Sequence, residues 1–163
     1  VTTTSDPRDL IDAFEEQRRL LLDSIRAVPP EMRKEPFVGK WSLHEVVAHL
    51  IGWDRTNVST VDSILAGQLP AFYERFEPNW ESFNDDLVAQ NDNEDWDELM
   101  TALEASQAAA LARLRALPPE ALTRPGPVWR TRQVTIAGVI RSATRDEHEH
   151  LGQVRGLLAG EAK

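Results

Sequence analysis

The stretch "SLHEVVAHLIGWDRTNVSTVDSILAG", residues 42–67, decides the fold. Ser42 followed three residues later by Glu45 is the pair that closes a capping box at a helix start. From there Leu43, Val46, Val47, Leu50, Trp53, Val58, Val61, Ile64 and Leu65 recur at steps of three and four, the spacing that lines one face of an α-helix. Gly67 stands where a helix-ending glycine belongs.

Three further segments repeat this pattern. Residues 7–28 open on Asp6 and Pro7, carry Leu10, Phe14, Leu21, Ile25 and Val28, and end at Pro29-Pro30. A third helix starts near Asp95 with Glu98 as its box residue. Its stripe is Leu99, Met100, Leu103, Ala110, Leu114 and Leu117, with the small Ser106 filling the gap. The fourth runs from about Val134 to Leu158 and stops at Gly160. No segment alternates with period two. The spacing therefore predicts an all-α chain, an up-down four-helix bundle occupying 1–163 as one domain.

The crossover between the second and third helices, 69–93, is long for a bundle and holds Phe72, Tyr73, Phe76, Trp80 and Phe83. It is expected to pack over one end with a short helix near 80–89, either as a lid or as a satellite hydrophobic cluster. The acid run "DNEDWDE" at 92–98 lacks the glycine and ligand spacing of a calcium loop and reads as acids favoured by a helix N-terminus.

Composition narrows the function classes. A net charge of −9, with no basic stripe standing out, argues against a nucleic-acid partner. The absence of cysteine excludes disulfides, zinc–thiolate sites and thiol nucleophiles. The first apolar run, from Leu10, is broken by acids and arginines, so neither a signal peptide nor a membrane span is expected, and a cytoplasmic protein is.

Candidate chemistry lies in "TRDEHEHLGQV", residues 144–154. The apolar stripe of the fourth helix (Ile136, Val139, Ile140, Ala143, Leu151, Val154) passes through Asp146 or Glu147 and then His150. Asp146 and His150 are about 6 Å apart along the axis and about 40° around it, close enough to reach one ion. His148 and Glu149 fall on other faces, and Glu147 on the margin. His49 of the second helix lies beside its stripe and can face them, whereas His44 is about 140° away from it. "HEVVAH" is one residue too long for a zincin motif. The Glu147-x-x-His150 pair lacks the second such pair and the two further glutamates of a di-iron bundle. Two imidazoles and one carboxylate leave coordination positions open, which suits zinc, nickel, iron(II) or manganese. A metal-free His–Asp–His hydrogen-bond network would satisfy the same groups, as the polar core of a small-molecule binding or sequestering module.

"KWSLHEVVAHLIGWDR" and "DEHEHLGQVR" resemble the second-helix and last-helix signatures of the DinB-like superfamily, and the helix order and long crossover match nearly throughout. The resemblance implies a four-helix bundle, a homodimer, and a divalent metal held at His49, Asp146 and His150. At 146 aspartate stands where the family pattern has histidine. A hydrolase or thiol S-transferase acting on a small molecule or thiol is implied. The segment "WESFNDDLVAQNDNEDWDEL" is similar to a branch of ClbS-type self-protection proteins, some acting without metal; Tyr73, Trp80 and Trp53 would then line the site.

Overall fold

Three of the four long helices begin at a residue that answers their free N–H groups; the first begins at Arg8, whose side chain caps nothing. Ser42 N–H donates to Glu45 Oε2 at 2.6 Å. Asp95 accepts from the amides of Asp97 and Glu98, both at 3.0 Å, and Thr135 Oγ1 from Gly138 N at 3.0 Å. Gly67 and Gly160 adopt φ of +71° and +73° just past two helix ends. Glu98 does not close its box; its carboxylate accepts from Asn93 Nδ2 instead.

The computed structural model describes residues 6–76 and 78–160. In chain order the elements are α1 (Asp9–Arg26), α2 (Leu43–Leu65), α3 (Phe72–Phe76), α4 (Trp80–Asn91), α5 (Trp96–Arg115), α6 (Pro119–Thr123), β1 (Val128–Trp129), β2 (Arg132–Gln133) and α7 (Ile136–Leu158). The four long helices α1, α2, α5 and α7 form an all-α bundle in which α1 packs chiefly on α7 and α2 on α5. The crossover is two helices rather than one, and α4 lies along α2. Gly52 permits that approach, because a Cβ there would sit 2.7 Å from Leu87 Cβ. The hairpin of β1 and β2, turning at Arg130 with φ +53°, was not expected from the sequence. Strands of two residues are too short to show alternation.

The apolar core falls into two parts. One gathers Leu21, Ile25, Leu43, Val47, Leu99, Leu103 and Val154; the other gathers Phe14, Val61, Leu114, Leu122, Ile136 and Ile140. In all four long helices the residues between these groups are polar: Arg18, Asp54, Ser106 with Gln107, and Glu147. Arg18, only 2% exposed, donates Nη1 and Nη2 to the two oxygens of Asp54 at 3.1 and 3.0 Å. Its Nε donates to Glu147 Oε1 at 2.8 Å, and Nη2 also reaches that oxygen. Ser106 Oγ donates to Asp54 Oδ2 at 2.7 Å. Glu147, expected on a margin, is wholly buried, while Asp146 is the half-exposed neighbour.

Breaking a buried ion pair from one side strands a charge without water or partner. Arg18→Met is therefore expected to lower the unfolding free energy by about 3–5 kcal/mol in urea titration. Burial pushes the Glu147 carboxyl up to about 7, against the pull of Arg18, whose charge Asp54 shares. Between its ordinary value of 4.5 and that value the folded chain binds the proton that the unfolded chain has released. This group's contribution to stability is thus full below that window and declines as pH rises through it. Glu147→Gln should remove that decline, measurable as unfolding free energy at the two ends of the window.

Candidate metal centre between α2 and α7

His49 projects from the second turn of α2 and is 3% exposed. Its ring lies between two tryptophans, with centroids 4.9 Å from Trp41 and 6.4 Å from Trp53. Among the described residues neither of its ring nitrogens has a hydrogen-bond partner. Across from it, α7 presents Asp146 and His150, one turn apart. His150 is 6% exposed and its ring centroid is 5.1 Å from that of His49. The Asp146 side chain, 45% exposed, forms the solvent side of the group.

Asp146 Oδ2 lies 3.6 Å from His49 Nε2 and 3.7 Å from His150 Nε2. These separations are too long for hydrogen bonds. One donor atom from each of the three residues lies within 4.8 Å of the others, a set that could hold a metal ion. The spacing argument thus brought together the residues it named. The imidazoles of α2 and α7 face each other because both sit on core-facing stripes, and Asp146 closes the set from the edge.

The electrostatics suit a ligand set. Burial works to raise the Asp146 carboxyl, but the two imidazoles beside it outweigh this and hold it below the ordinary aspartate value. Burial lowers His150 below its ordinary value, more than Asp146 raises it. At neutral pH an anionic aspartate therefore stands beside a neutral His150. His150 Nδ1 lies 2.7 Å from Gln153 Oε1; the amide oxygen accepts, so Nδ1 carries the hydrogen and Nε2 keeps its lone pair toward Asp146. Gln153, one turn beyond His150, is thus a positioning partner.

Other polar residues are separated from the set. His44 packs on Trp96 with centroids 5.0 Å apart, and its Nδ1 is 3.3 Å from Asn93 O. His148 and Glu149 are exposed, as the helical angles predict. Of the aromatics proposed for a metal-free pocket, only Trp53 touches His49. Its other contacts are Phe72, Phe76 and Phe83, at 5.6, 5.5 and 5.6 Å between centroids, and its Nε1 donates to Asn84 Oδ1 at 3.0 Å. Tyr73 packs instead on Trp129, and Trp80 is 55% exposed. The crossover aromatics therefore form a cluster that covers the Trp53 side of the site.

Because the nitrogens of His49 satisfy nothing and are satisfied by nothing, His49→Leu should change the stability of chelator-treated protein by less than about 1 kcal/mol. Urea unfolding checks this. A loss of about 3 kcal/mol or more would mark a structural network instead.

The family model described as the DinB superfamily matches residues 13–154. No sequence of curated function matches the chain. Two solved structures share the fold. The crystal structure of the colibactin self-resistance protein ClbS in complex with dsDNA has a TM-score of 0.80 at 18% identity, covering 96% of this chain and 98% of that one. An uncharacterised protein from Escherichia coli UTI89 has a TM-score of 0.76 at 15% identity, covering 95% and 94%. The first overturns the exclusion of nucleic acid drawn from net charge, since a protein of this fold is seen with DNA. Net charge is a sum over the whole molecule, whereas phosphate contacts are made locally, within a screening length of about 8–10 Å. Among the described residues no helix is long and apolar enough to cross a membrane.

Proposed function

The chain belongs to the DinB superfamily, and on that premise we propose that it is a divalent-metal-binding enzyme, a hydrolase or thiol S-transferase acting on a small molecule. The observation that carries this reading is buried His49, whose Nε2 has no hydrogen-bond partner among the described residues and lies 3.6 Å from Asp146 Oδ2, itself 3.7 Å from His150 Nε2, separations too long for a hydrogen-bond network. A buried imidazole left without partners is costly unless a ligand completes it. His49, Asp146 and His150 would hold the ion; zinc or nickel suits the two imidazoles best, with iron or manganese as further candidates. Bound there, a divalent ion supplies Lewis acidity to water, a thiol or a substrate oxygen.

The chain's own residues would do the rest. Gln153 holds His150 in the tautomer that leaves Nε2 unprotonated. Trp41 and Trp53 wall His49 from water. Asp146, the half-exposed member, is the side from which a substrate would arrive. Aspartate at this position makes the ligand set more oxygen-rich than the family pattern with histidine.

Protein purified without an affinity tag or added metal is expected to take up about one equivalent of zinc or nickel in calorimetric titration. His49→Ala or His150→Ala should abolish this. Gln153→Ala should weaken it by about 10- to 100-fold with the fold intact by circular dichroism. Absence of any binding in the wild type would sink the metal reading.

A second reading, association with double-stranded DNA, is favoured by the ClbS complex on the same fold. It is compatible with the first, because the metal set faces inward from α7 and leaves the outer surface of that helix available.

A further inference from the structure

The outer ridge of α7 carries no acid. Arg141, Arg145, His148, Gly152 and Arg155 lie within about 40° of one line along the helix, and all five are exposed. The ridge is about 21 Å long. Of the acids on the helix, Glu149 lies one turn beyond Arg145 and about 40° around from it, while Glu147 and Asp146 lie about 120° and 140° around from Arg141. In a chain with 27 acids to 18 lysines and arginines, the exposed arginines divide: Arg19, Arg26, Arg75 and Arg115 pair with carboxylates, whereas Arg8, Arg55, Arg124 and Arg132 form no ion pair among the described residues. Among the described residues Arg141, Arg145 and Arg155 form no ion pair; Arg145 donates to Ser142 Oγ at 3.3 Å, and its charge reaches Asp146 without pairing with it.

Two further observations point outward from the same surface. A shallow groove runs beside the ridge, and its α1 wall, Leu10, Ala13 and Gln17, carries no charge. Gln17 Nε2 is buried there with no acceptor among the described residues, while its Oε1 lies 3.4 Å from His148 Nδ1. Gly152 weakens the interior of α7, yet a Cβ at that position would meet nothing within 4 Å. Internal packing therefore does not require the glycine. Without a side chain there, the helix surface is open to close approach from outside.

We propose that this ridge is a docking track for the phosphodiester backbone of a nucleic acid, with Arg141, Arg145 and Arg155 on phosphates and Gly152 admitting the backbone close to the helix. The inference rests on the DNA reading above and names the surface that would serve it. Guanidinium forks match phosphate oxygens in pairs. A second copy of this chain offering the same ridge would oppose it with like charge.

The test is fluorescence anisotropy with a labelled duplex of about 20 base pairs, titrated with the full chain between about 50 and 200 mM salt. Three phosphate contacts predict a loss of about 40-fold in affinity over that range. The triple variant Arg141→Glu, Arg145→Glu, Arg155→Glu should bind at least tenfold more weakly and with a flatter salt dependence. A matched control, Arg19→Glu, Arg26→Glu, Arg75→Glu, carries the same net charge change and should lose less than threefold. Gly152→Leu should weaken binding while raising the thermal midpoint of the protein. If the wild type binds but the ridge and control variants weaken equally, or neither does, the ridge is refuted and the DNA reading stands. If the wild type does not bind at the lowest salt, both fail.

Discussion

One buried arginine organises this bundle. Arg18 of α1 holds Asp54 of α2 through a paired contact and Glu147 of α7 through a third and fourth, and Ser106 of α5 completes the shell of Asp54. All four long helices are thereby tied at one level of the core. A charge in that setting tolerates little sliding, because a one-turn shift of any helix would strand a carboxylate in apolar surroundings. Apolar packing alone would be more forgiving of such shifts.

The candidate metal centre follows from that constraint. Asp54 lies little more than one turn beyond His49 on α2, and Glu147 is the immediate neighbour of Asp146 on α7. Locking Asp54 and Glu147 to the same guanidinium sets the register of α2 against α7, and His49 then meets Asp146 and His150 across the interface. The site and its scaffold divide the polar residues of one short stretch between them. Glu147 turns into the core to hold the helices, Asp146 turns toward the opening, and His150 completes the ligand set with Gln153 behind it. The aromatic crossover adds a wall: Trp53 links His49 to Phe72, Phe76 and Phe83, and Gly52 allows α4 to lie against α2 beside it.

How far the sequence could be read depended on whether a residue's role follows from its own helix. Ser42, Glu45 and Gly67 announce the ends of α2 because capping is local chemistry. Asp146, His150 and His49 were legible because helical angle places them on or beside apolar stripes. Arg18 also lies on such a stripe, between Phe14 and Leu21, yet an arginine at that position commonly reaches back to water. Nothing in α1 alone reveals two carboxylates waiting on α2 and α7. The choice between Asp146 and Glu147 as the buried acid turned on that same partner. The hydrogen bond from His150 to Gln153 depended on a rotamer, and the exposure of Trp80 on where the crossover lies, neither of which spacing encodes. Net charge misled for a related reason: it averages over a surface that the fold divides into distinct faces.

By itself, then, the sequence determined the all-α class, the four long helices with the capping box of α2, and the three residues able to share an ion, because each depends on periodicity and contacts a few residues apart. Only the tertiary structure decided which acid is buried, what Arg18 holds, which aromatics reach His49, and that three unpaired arginines align on the outside of α7. Those outcomes depend on groups distant in the chain meeting in a medium of low dielectric, where an unpaired polar atom is expensive and a partner on another helix settles the arrangement.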